Sequence, residues 1–393
     1  MSASVLVLNA GSSSVKFAIY RAEPLEILVG GEIDAIGEGA RLRVRGKEAG
    51  DLVGATPPAQ GDHETLIAWL LDAIRATADL PIAGAGHRVV HGGPRFDKPV
   101  VIDDQVVEAL DRLTPLARAH QPHNLAAIRT VAKRWPQLRQ VACFDTSFHR
   151  TQPRLAEVFA IPRSYADEGL LRYGFHGLSY DYIASVLPQI AGAKADGRVI
   201  VAHLGSGASL CAMRGRKSVA TTMGLTAIDG LMMGTRCGNI DPGLVLYLIR
   251  ERGLSAETVE DLISKRSGLL GVSGVSDDMR ILEASGDSAA HEALDLFAYR
   301  CIRETGSLVA ALGGLDALVF TAGIGEHSAL TRRKICEGLA WMGLRIDRAR
   351  NDANAQRISV DVSAVDVFVV PTNEELVIAR AVRGLLNLGS QAS

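Results

Sequence analysis

An internal repeat limits the folds that this sequence can adopt. The segment VLVLNAGSSSVKF begins at Val5, and VIVAHLGSGASLC begins at Val199. Each consists of a four-residue apolar run, two spacer residues, a Gly-Ser pair, a pair of small residues and a second apolar run. Gly11 and Gly205 are 194 positions apart, about half of the 393 residues. The repeat predicts a duplicated domain whose halves each open with a glycine-serine hairpin; coincidence between two common hairpins is the alternative on these residues alone.

Short apolar runs alternate with amphipathic stretches along the whole chain, which is the pattern of an α/β fold. We predict strands at Val5–Leu8, Val15–Tyr20, Arg88–Val90, Gln140–Phe144, Val199–His203, Ala317–Thr321 and Val365–Val370. We predict helices at Glu64–Ala78, Gln105–Leu113, Leu125–Trp135, Tyr180–Leu187, Ala289–Leu312 and Glu374–Leu386. Asn124 is the expected N-cap of the third helix. A chain of this length exceeds one hydrophobic core, so two domains are expected.

Charge and cysteine usage exclude several classes of protein. The net charge is -2, and no long run of one sign is present, so a nucleic-acid partner is not expected. The five cysteines include no CxxC pair, which is typical of reduced thiols and indicates neither a disulfide framework nor a zinc site. The best membrane candidate, Ser307–Gly325, is interrupted by Asp316 and by glycines, and we interpret it as a helix followed by a buried strand. The sequence therefore predicts a soluble, cytoplasmic protein without a membrane partner.

The first hairpin has the composition of a phosphate-binding turn. With no side chain at Gly11, backbone N–H groups and the hydroxyls of Ser12, Ser13 and Ser14 could converge on phosphate oxygens, and Lys16 could add a positive charge. The segment does not match the Walker A pattern. A single Gly-Ser turn is usually only a turn, but two at matching positions favour phosphate binding.

Two arginines lie in segments that favour contact with an anion. Arg88 belongs to the apolar strand segment of HRVVHGG, where a charge is costly unless it is paired or reaches a ligand. Arg236 lies among glycines in MGTRCGNIDPG. Guanidinium groups on glycine-bounded segments suit an oxygen-rich substrate. A buried ion pair is the alternative for Arg88.

Asp145 and His176 are two further polar residues at positions where ligands commonly bind. Asp145 comes after the buried strand in CFDTSFH, a position at which open α/β sheets bind ligands. It is a candidate magnesium ligand or general base, and an N-cap role is equally open. His176 lies beside glycine in YGFHG, where a ligand role competes with a structural one.

The two C-terminal motifs indicate a nucleotide site and a helix start. TAGIGEHS, Thr321–Ser328, places Gly323 and Gly325 before a helix expected from Leu330, and its glycine spacing is too short for a dinucleotide-binding fingerprint. In PTNEEL, Thr372 and Glu375 fit a capping box. Glu374 is then the freer carboxylate and the better metal candidate.

Together these segments resemble the acetate kinase family. The matching segments run in order from Val5 to Arg380 and are LNAGSSSVKF, HRVVHGG, FDTSFH, YGFHGLSY, AHLGSGASL, GLMMGTRCGNIDPG, FTAGIGEHS and PTNEEL. The resemblance implies two duplicated actin/hexokinase-like (ribonuclease H-like) α/β domains flanking a nucleotide cleft. Residues 1–149 plus 374–393 would form the first domain, and 150–373 the second, with the nucleotide site and the dimer interface. It also implies a homodimer that uses Mg²⁺, for which Mn²⁺ may substitute, and makes acetyl phosphate and ADP reversibly from acetate and ATP by direct in-line transfer.

The resemblance also implies site residues. The catalytic residues would be Asp145, Arg236, His176 and Arg88, and the metal would be bound by Asn9 and Glu374 with the help of Asp145. The substrate would be bound by Arg88, Val90, Ala119, His120, Phe175 and Ala227. The nucleotide would be bound by Ser12, Ser14, Lys16, His203, Gly205, Ser206, Gly207, Asp278, Met279, Arg280, Gly323, Ile324 and His327.

Four departures from the family pattern affect specificity. Ala119 stands where leucine is often found and Ala227 where proline is common, so the walls around the substrate's alkyl end are smaller and propionate is a second candidate substrate. Ser206 and His327 each replace a usual asparagine and could change nucleotide preference. The alternatives to an acetate kinase are a propionate or other short-chain acyl kinase and, in another class, a non-catalytic actin-like nucleotide-binding module.

Overall fold

The computed structural model describes residues 3–11, 13–37, 39–77 and 80–389, and these separate into two compact units. Unit 1 comprises Met1–Phe148 and Asn373–Ser393, and unit 2 comprises His149–Thr372. In unit 1 the described strands are β1 Ser4–Ala10, β2 Val15–Arg21, β3 Glu26–Asp34, β4 Arg41–Arg45, β5 Ile82–Val89, β6 Val100–Val101 and β7 Gln140–Phe144. Its described helices are α1 His63–Thr77, α2 Asp104–Asp111, α3 Gln121–Arg134 and the C-terminal helix, α15 in chain order, Glu374–Leu386.

Unit 2 contains one mixed sheet and a larger number of helices. Its strands are β8 Arg198–Leu204, β9 Ala208–Arg214, β10 Lys217–Thr221, β11 Ala317–Thr321 and β12 Asp366–Val369. Its helices are α4 Arg154–Glu157, α5 Arg163–Asp167, α6 Gly177–Ala191, α7 Pro242–Arg250, α8 Ala256–Lys265, α9 Gly268–Ser273, α10 Met279–Ala284, α11 Ser288–Leu312, α12 Ala322–His327, α13 Ala329–Gly338 and α14 Arg348–Asp352.

The two sheets share a five-strand pattern. In unit 1 the strand order is β4-β3-β2-β1-β5-β7-β6, and in unit 2 it is β10-β9-β8-β11-β12. In each unit a hairpin strand (β1 or β8) pairs antiparallel with the next strand and parallel with a strand that returns after a helix. The predicted duplication and the α/β class are therefore confirmed, and the two Gly-Ser turns occupy equivalent positions.

The strands were predictable because their residues are buried on both faces. Every residue of β7 and β11 is buried, and both strands have the bounds predicted from their apolar runs. Longer strands such as β5 begin earlier than predicted. Small residues, including Gly84 and Gly86, continue the hydrogen-bonded strand there, but they do not form the apolar run from which strands are predicted. The segment Ser307–Gly325 forms the end of α11 followed by β11, as predicted.

The prediction that Asn124 caps a helix is wrong. Helix α3 begins at Gln121, with Pro122 in its first turn, where the missing N–H of proline costs no helical hydrogen bond. Asn124 lies inside the helix and is buried. Its amide donates to the carbonyl of Ala10 at 2.8 Å and accepts from the N–H of Val90 at 3.0 Å. The residue therefore links helix α3 to the ends of strands β1 and β5.

The predicted capping box at the start of α15 is also wrong. The N-cap is Asn373, whose side chain accepts a hydrogen bond from the N–H of Leu376 at 2.9 Å. Asparagine is as good a cap as threonine because its side-chain oxygen reaches the same donors. The hydroxyl of Thr372 instead contacts that of Ser179 at 2.8 Å.

Close packing of α15 on β5 sets the position of the first residue of this helix. A Cβ atom on Gly84 would lie 2.5 Å from Leu386, and one on Gly86 would lie 2.4 Å from Ile378. The two glycines thus let the helix approach the strand more closely than any other residue would. As a result Glu374 begins α15 near Arg88, two residues beyond Gly86.

The segment TAGIGEHS differs from its prediction. The sequence predicts a helix from Leu330 with Gly323 and Gly325 before it, but Ala322–His327 forms the short helix α12, and α13 begins at Ala329. The turn is made by one residue, Ala322, which has a φ of 65°. Glu326 stabilises it by accepting a hydrogen bond from the Ala322 N–H at 2.9 Å.

No helix within the described ranges is long and apolar enough to cross a membrane.

Candidate active site

In unit 1 an ion pair joins Arg88 and Asp145. Arg88 lies on β5 opposite Cys143 of β7, so its side chain reaches the residue that follows β7. Its Nε lies 3.1 and 3.0 Å from the carboxylate oxygens, and Nη2 lies 2.5 Å from Oδ2. Nη1 donates to Oδ1 of Asn9 at 3.2 Å. Of the two roles left open for Arg88, the structure shows the ion pair, in a side chain that is still 20% exposed.

The charges around Arg88 keep the guanidinium protonated. Burial opposes its charge, but the carboxylates of Asp145, Glu374 and Glu375 outweigh this effect and raise the pKa of Arg88. The guanidinium is therefore a permanent cation with one side available to solvent.

Glu374 has the most perturbed carboxylate of this group. Desolvation raises its pKa to about 7; the charge of Arg88 opposes this, whereas those of Asp145 and Glu375 add to it. Three neighbouring acids, Asp145, Glu374 and Glu375, outnumber the two cations that act on Glu374, Arg88 and Lys16. A further cation would relieve the excess of negative charge.

These residues fit a magnesium ion that also binds substrate. Across the described ranges no group of three or more His, Cys, Asp or Glu side chains is arranged as a complete metal site. Mg²⁺ rarely needs one, since it usually takes one or two protein carboxylates, and phosphate and water oxygens complete its octahedron. The amide oxygen of Asn9 and the carboxylate of Glu374 are hard oxygen ligands of this kind, with Asp145 beside them.

The remaining predicted residues of unit 1 surround its first hairpin or precede α3. Lys16 is the cross-strand partner of Asn9, and the N–H of Gly11 donates to the carbonyl of Ser14 at 2.8 Å, which closes the turn. Ser12 lies outside the described residues. The segment before α3 places Ala119 at the surface and half-buries His120, while Val90 is buried at the end of β5.

In unit 2, His176 and His203 form a stacked pair. Their ring centroids are 4.2 Å apart with an interplanar angle of 17°. His176 precedes α6 in the left-handed conformation, with a φ of 59° and Nδ1 2.8 Å from Oγ of Ser209. His203, at the end of β8, contacts the hydroxyl of Ser179 through its Nδ1 at 2.8 Å. Both Nδ1 atoms are thus held by serines.

The second Gly-Ser turn lies against the other ring nitrogens. A Cβ atom on Gly207 would be 3.2 Å from Nε2 of His176 and 3.7 Å from Nη1 of Arg236. One on Gly205 would be 4.0 Å from Nε2 of His203. Residues predicted from three separate motifs therefore meet at this turn.

Arg236 is oriented by backbone. Its Nη1 donates to the carbonyl of Ala227 at 2.9 Å, and the N–H of Gly234 donates to the carbonyl of Ser206 at 3.0 Å. The first bond orients the guanidinium, and the second ties the segment that contains Arg236 to the Gly-Ser turn. Phe175, which precedes His176, is fully buried.

A cavity of about 430 Å³ opens beside this turn. Its lining includes eight of the predicted nucleotide residues, namely Gly205, Ser206, Asp278, Met279, Arg280, Gly323, Ile324 and His327. The structure thus brings together residues that are more than 100 positions apart in the sequence. Its size and mixed lining suit a nucleoside.

A sequence profile of the acetokinase family matches residues 4–380. The chain belongs to the acetokinase family.

Relatives of the family cover the chain from end to end. It is 52% identical to an acetate kinase of Rhodopseudomonas palustris (strain TIE-1) over 99% of this chain and 100% of that protein. It is 46% identical to an acetate kinase of Rhizobium meliloti over 98% of each. A solved propionate kinase of Francisella tularensis superposes with a TM-score of 0.91 at 36% identity, and one of Porphyromonas gingivalis acetate kinase with 0.87 at 36%. Both structures match 98% of this chain and are themselves covered completely.

Sequence analysis of this acetokinase missed several residues of the site. Asp277, Glu283 and Ser328 also line the nucleotide cavity. Ser328 ends the TAGIGEHS motif, where it caps α13 and donates to a carboxylate oxygen of Glu283. The adjacent acids Asp277 and Asp278 are a local sequence feature from which a site could have been predicted. Glu283 lies in a short amphipathic helix, and no local feature distinguishes it from a surface residue. Ser209, the partner of His176, was not selected either.

Proposed function

We propose that this protein catalyses the reversible, Mg²⁺-dependent transfer of a phosphoryl group from ATP to acetate, giving acetyl phosphate and ADP. One observation supports the proposal above all. In unit 2 the catalytic candidates Arg236 and His176 lie against the same Gly-Ser turn that borders the nucleotide cavity. A nucleotide switch needs no such cation and histidine beside the phosphate turn. Full-length similarity to acetate kinases agrees with this choice.

The reaction needs electrostatic help more than acid–base help. A carboxylic acid has a pKa of roughly 4, so acetate is already an ionised nucleophile at neutral pH. Asp145 is then an ion-pair partner of Arg88 rather than a general base, which agrees with its contacts. The remaining difficulty is to bring an anion to a polyanion and to stabilise a metaphosphate-like group in line.

Each unit supplies part of that stabilisation. In unit 2, backbone N–H groups at Gly205–Gly207, Arg236 and His176 would bind the phosphate oxygens. In unit 1, Arg88 would bind the acetate carboxylate, and Asn9 and Glu374 would hold the metal. The bound Mg²⁺ would supply positive charge that offsets the negative charge developing on the transferring phosphoryl group.

Acetate is the proposed substrate, with propionate as the second candidate. Ala119 and Ala227 are smaller than the residues common at these positions in the family, and Val90 and Phe175 would complete the walls. One methylene is worth only about 1–3 kcal/mol of discrimination in such a site. We therefore expect activity with propionate at a lower kcat/KM than with acetate.

The direct test is acyl-hydroxamate formation from ATP and Mg²⁺ with acetate, propionate or butyrate in parallel. Product with acetate supports the proposal, and the ratio of kcat/KM values assigns the acyl chain length. If none of the three acids gives product, the alternative hypothesis of a non-catalytic nucleotide-binding module is favoured. ATP hydrolysis without acyl product would argue against a carboxylate acceptor.

A substitution at Arg236 tests the site that carries the proposal. Arg236→Ala is expected to lower kcat by about 100- to 1,000-fold, because one charge-stabilising contact is lost, while ATP affinity changes little. Arg216→Ala is the matched control, since Arg216 is an exposed arginine paired with Asp196. Near-wild-type turnover in Arg236→Ala would contradict the assignment.

We also propose that the protein is a cytoplasmic homodimer and that α7 lies in its interface. No residue of α7 is buried, although the helix contains Leu244, Leu246, Tyr247 and Ile249, each at least 36% exposed. Such an apolar patch is unusual on a monomer and suits a second copy of the chain. Leu246→Glu should shift the mass measured by light scattering from dimer to monomer, whereas Leu155→Glu, at another exposed leucine, should not. An unchanged mass for Leu246→Glu, or a wild-type monomer, would refute this interface.

A further inference from the structure

The hydroxyl of Ser209 connects His176, a residue of the proposed reaction, to Tyr180, which has no part in it. Ser209 lies on β9 and is fully buried. Its Oγ is 2.8 Å from Nδ1 of His176 and within hydrogen-bonding distance of the hydroxyl of Tyr180. Tyr180 lies one turn along α6 from His176, so both partners approach Ser209 from the start of one helix.

The three groups can form a chain of donors in one direction. Burial raises the pKa of Tyr180 well above its usual value, so its hydroxyl keeps its proton. If that proton is donated to Ser209, the proton of Ser209 is directed to Nδ1 of His176. A neutral imidazole that accepts at Nδ1 has its own proton on Nε2.

Nε2 is the atom of His176 that faces the Gly-Ser turn, 3.2 Å from the place of a Cβ on Gly207. An N–H at this position would donate to a phosphoryl oxygen bound at the turn, and Nη1 of Arg236 lies 3.7 Å from the same Cβ position. A lone pair at this position would instead repel the oxygen. The ring is useful to phosphoryl transfer in one of its two neutral tautomers only.

We propose that Ser209 is a positioning residue that holds His176 in the Nε2–H tautomer, and that Tyr180 orients the Ser209 hydroxyl. The proposal rests on the proposed function for its consequence in catalysis. The tautomer itself is a property of the resting protein and can be measured without turnover.

Nitrogen-15 NMR of histidine-labelled protein at neutral pH measures the tautomer. The His176 resonances are assigned by their loss in His176→Gln. We expect a neutral ring protonated at Nε2 in the wild type, and a shift toward the Nδ1–H form in Ser209→Ala. A wild-type ring that is protonated at Nδ1 or at both nitrogens would overturn the proposal. So would a Ser209→Ala ring that is unchanged.

Kinetics of the same variants measure the consequence. Ser209→Ala should lower kcat by about 10- to 100-fold, the typical cost of losing an outer partner that fixes the tautomer of a functional histidine, with KM for ATP and acetate within about threefold of the wild type. Tyr180→Phe removes one hydroxyl without changing the ring and should have a smaller effect in the same direction. Ser209→Thr keeps the hydroxyl and should recover most of kcat.

Ser218→Ala is the matched control. Ser218 is also buried, and its hydroxyl is 2.9 Å from Nδ1 of a different histidine, His149. It should lose stability as Ser209→Ala does, but keep kcat and the His176 tautomer. If Ser209→Ala does not fold, Tyr180→Phe supplies the test. A wild type without acyl kinase activity would refute the proposed function alone, whereas an active wild type with unchanged kcat in Ser209→Ala and Tyr180→Phe would refute this one.

Discussion

Arg88 contacts Asp145 through Nε and Nη2 and Asn9 through Nη1, so most of its donors are used before a substrate arrives. A guanidinium held in this way loses little freedom when it binds a carboxylate. We therefore expect the ion pair to orient Arg88, and the exposed fifth of its side chain to be the part that could reach a substrate.

Asp145→Asn tests this view of the ion pair. The amide keeps the shape but removes the charge, so Arg88 should lose its fixed orientation, and kcat should fall by about 100- to 1,000-fold, as for other lost electrostatic contacts. Steady-state kinetics with acetate provide the measurement. Asp316→Asn is the control, because Asp316 forms a similar pair with Arg198 at 2.6 Å, away from the candidate site. Unchanged turnover in Asp145→Asn would show that the pair does not aim Arg88.

A buried histidine predicts a loss of stability in acid. Burial lowers the pKa of His87 from 6.5 to about 4, although the hydrogen bond to Gln140 opposes the shift. The unfolded chain therefore binds a proton that the folded chain does not. The stability from the neutral ring is fully present above pH 6.5 and is lost as the pH falls toward 4, up to about 3 kcal/mol.

Urea unfolding at several pH values measures this loss. Between pH 6.5 and 4 the free energy of unfolding should fall less in His87→Gln than in the wild type. The difference should equal the contribution of the one proton that the unfolded wild-type chain binds at His87. At neutral pH the ring is uncharged in both states, so the difference there gives the pH-independent cost of the substitution. Parallel pH curves would mean that His87 does not contribute.

At the scale of elements, the approach of α15 to β5 determines where the acid Glu374 lies. Neither the helix nor the strand is unusual by itself. Gly84 and Gly86 remove two side chains at the contact, and the apolar stripe of α15, with Ile378 and Val382, fills the space. If positions 84 and 86 carried side chains, α15 would lie farther from β5, and Glu374 would be separated from Arg88.

Gly86→Ala should disturb this contact. The new methyl group would lie 2.4 Å from Ile378, an overpacking that typically costs about 1–3 kcal/mol. Urea unfolding gives the cost, and the double variant Gly86→Ala/Ile378→Ala should be less destabilised than the sum of the single changes. Gly384→Ala is the control: it lies in α15 with open space around it, and alanine should stabilise it by about 0.5–1 kcal/mol. Additive effects at Gly86 and Ile378 would show that they do not compete for space.

At the scale of the whole molecule, the two units share one arrangement of strands but contain different candidate sites. Both units have a mixed sheet with a hairpin at the same place, yet the nucleotide cavity belongs to unit 2, while the acidic group with Arg88 belongs to unit 1. The division separates a cavity of about 430 Å³ in unit 2 from a compact cluster of charged side chains in unit 1. Nucleotide binding and metal-dependent chemistry should therefore be separable.

Hydrogen exchange with ADP tests this separation. ADP should protect the backbone around residues 205–207, 277–283 and 323–328 in the presence of EDTA, and EDTA should at the same time abolish turnover. Glu374→Gln should keep the same protection, since Glu374 belongs to unit 1. Loss of that protection in EDTA, or in the variant, would show that the nucleotide site depends on the metal site.

Local signals identified much of the site because phosphate-binding turns require glycine and small polar residues at close spacing. The two hairpins, Arg236 beside its glycines and the TAGIGEHS segment all stand out in this way. In the structure, most of these predicted residues of unit 2 surround one turn or one cavity. The role of each in binding or catalysis stays a prediction.

The apolar runs and their repeat after 194 residues were enough to predict the duplicated α/β architecture, because they can be read from local periodicity. The bounds of β7 and β11 could be predicted as well, because their residues are buried on both faces. Three contacts became visible only in the folded structure: Asp145 pairs with Arg88, Asn124 bridges two strands instead of capping a helix, and Glu283 lines the cavity beside the second Gly-Ser turn. Each of these contacts joins residues far apart in the chain. Strand register and helix packing set the distances between these residues, and no local sequence pattern predicts the register or the packing.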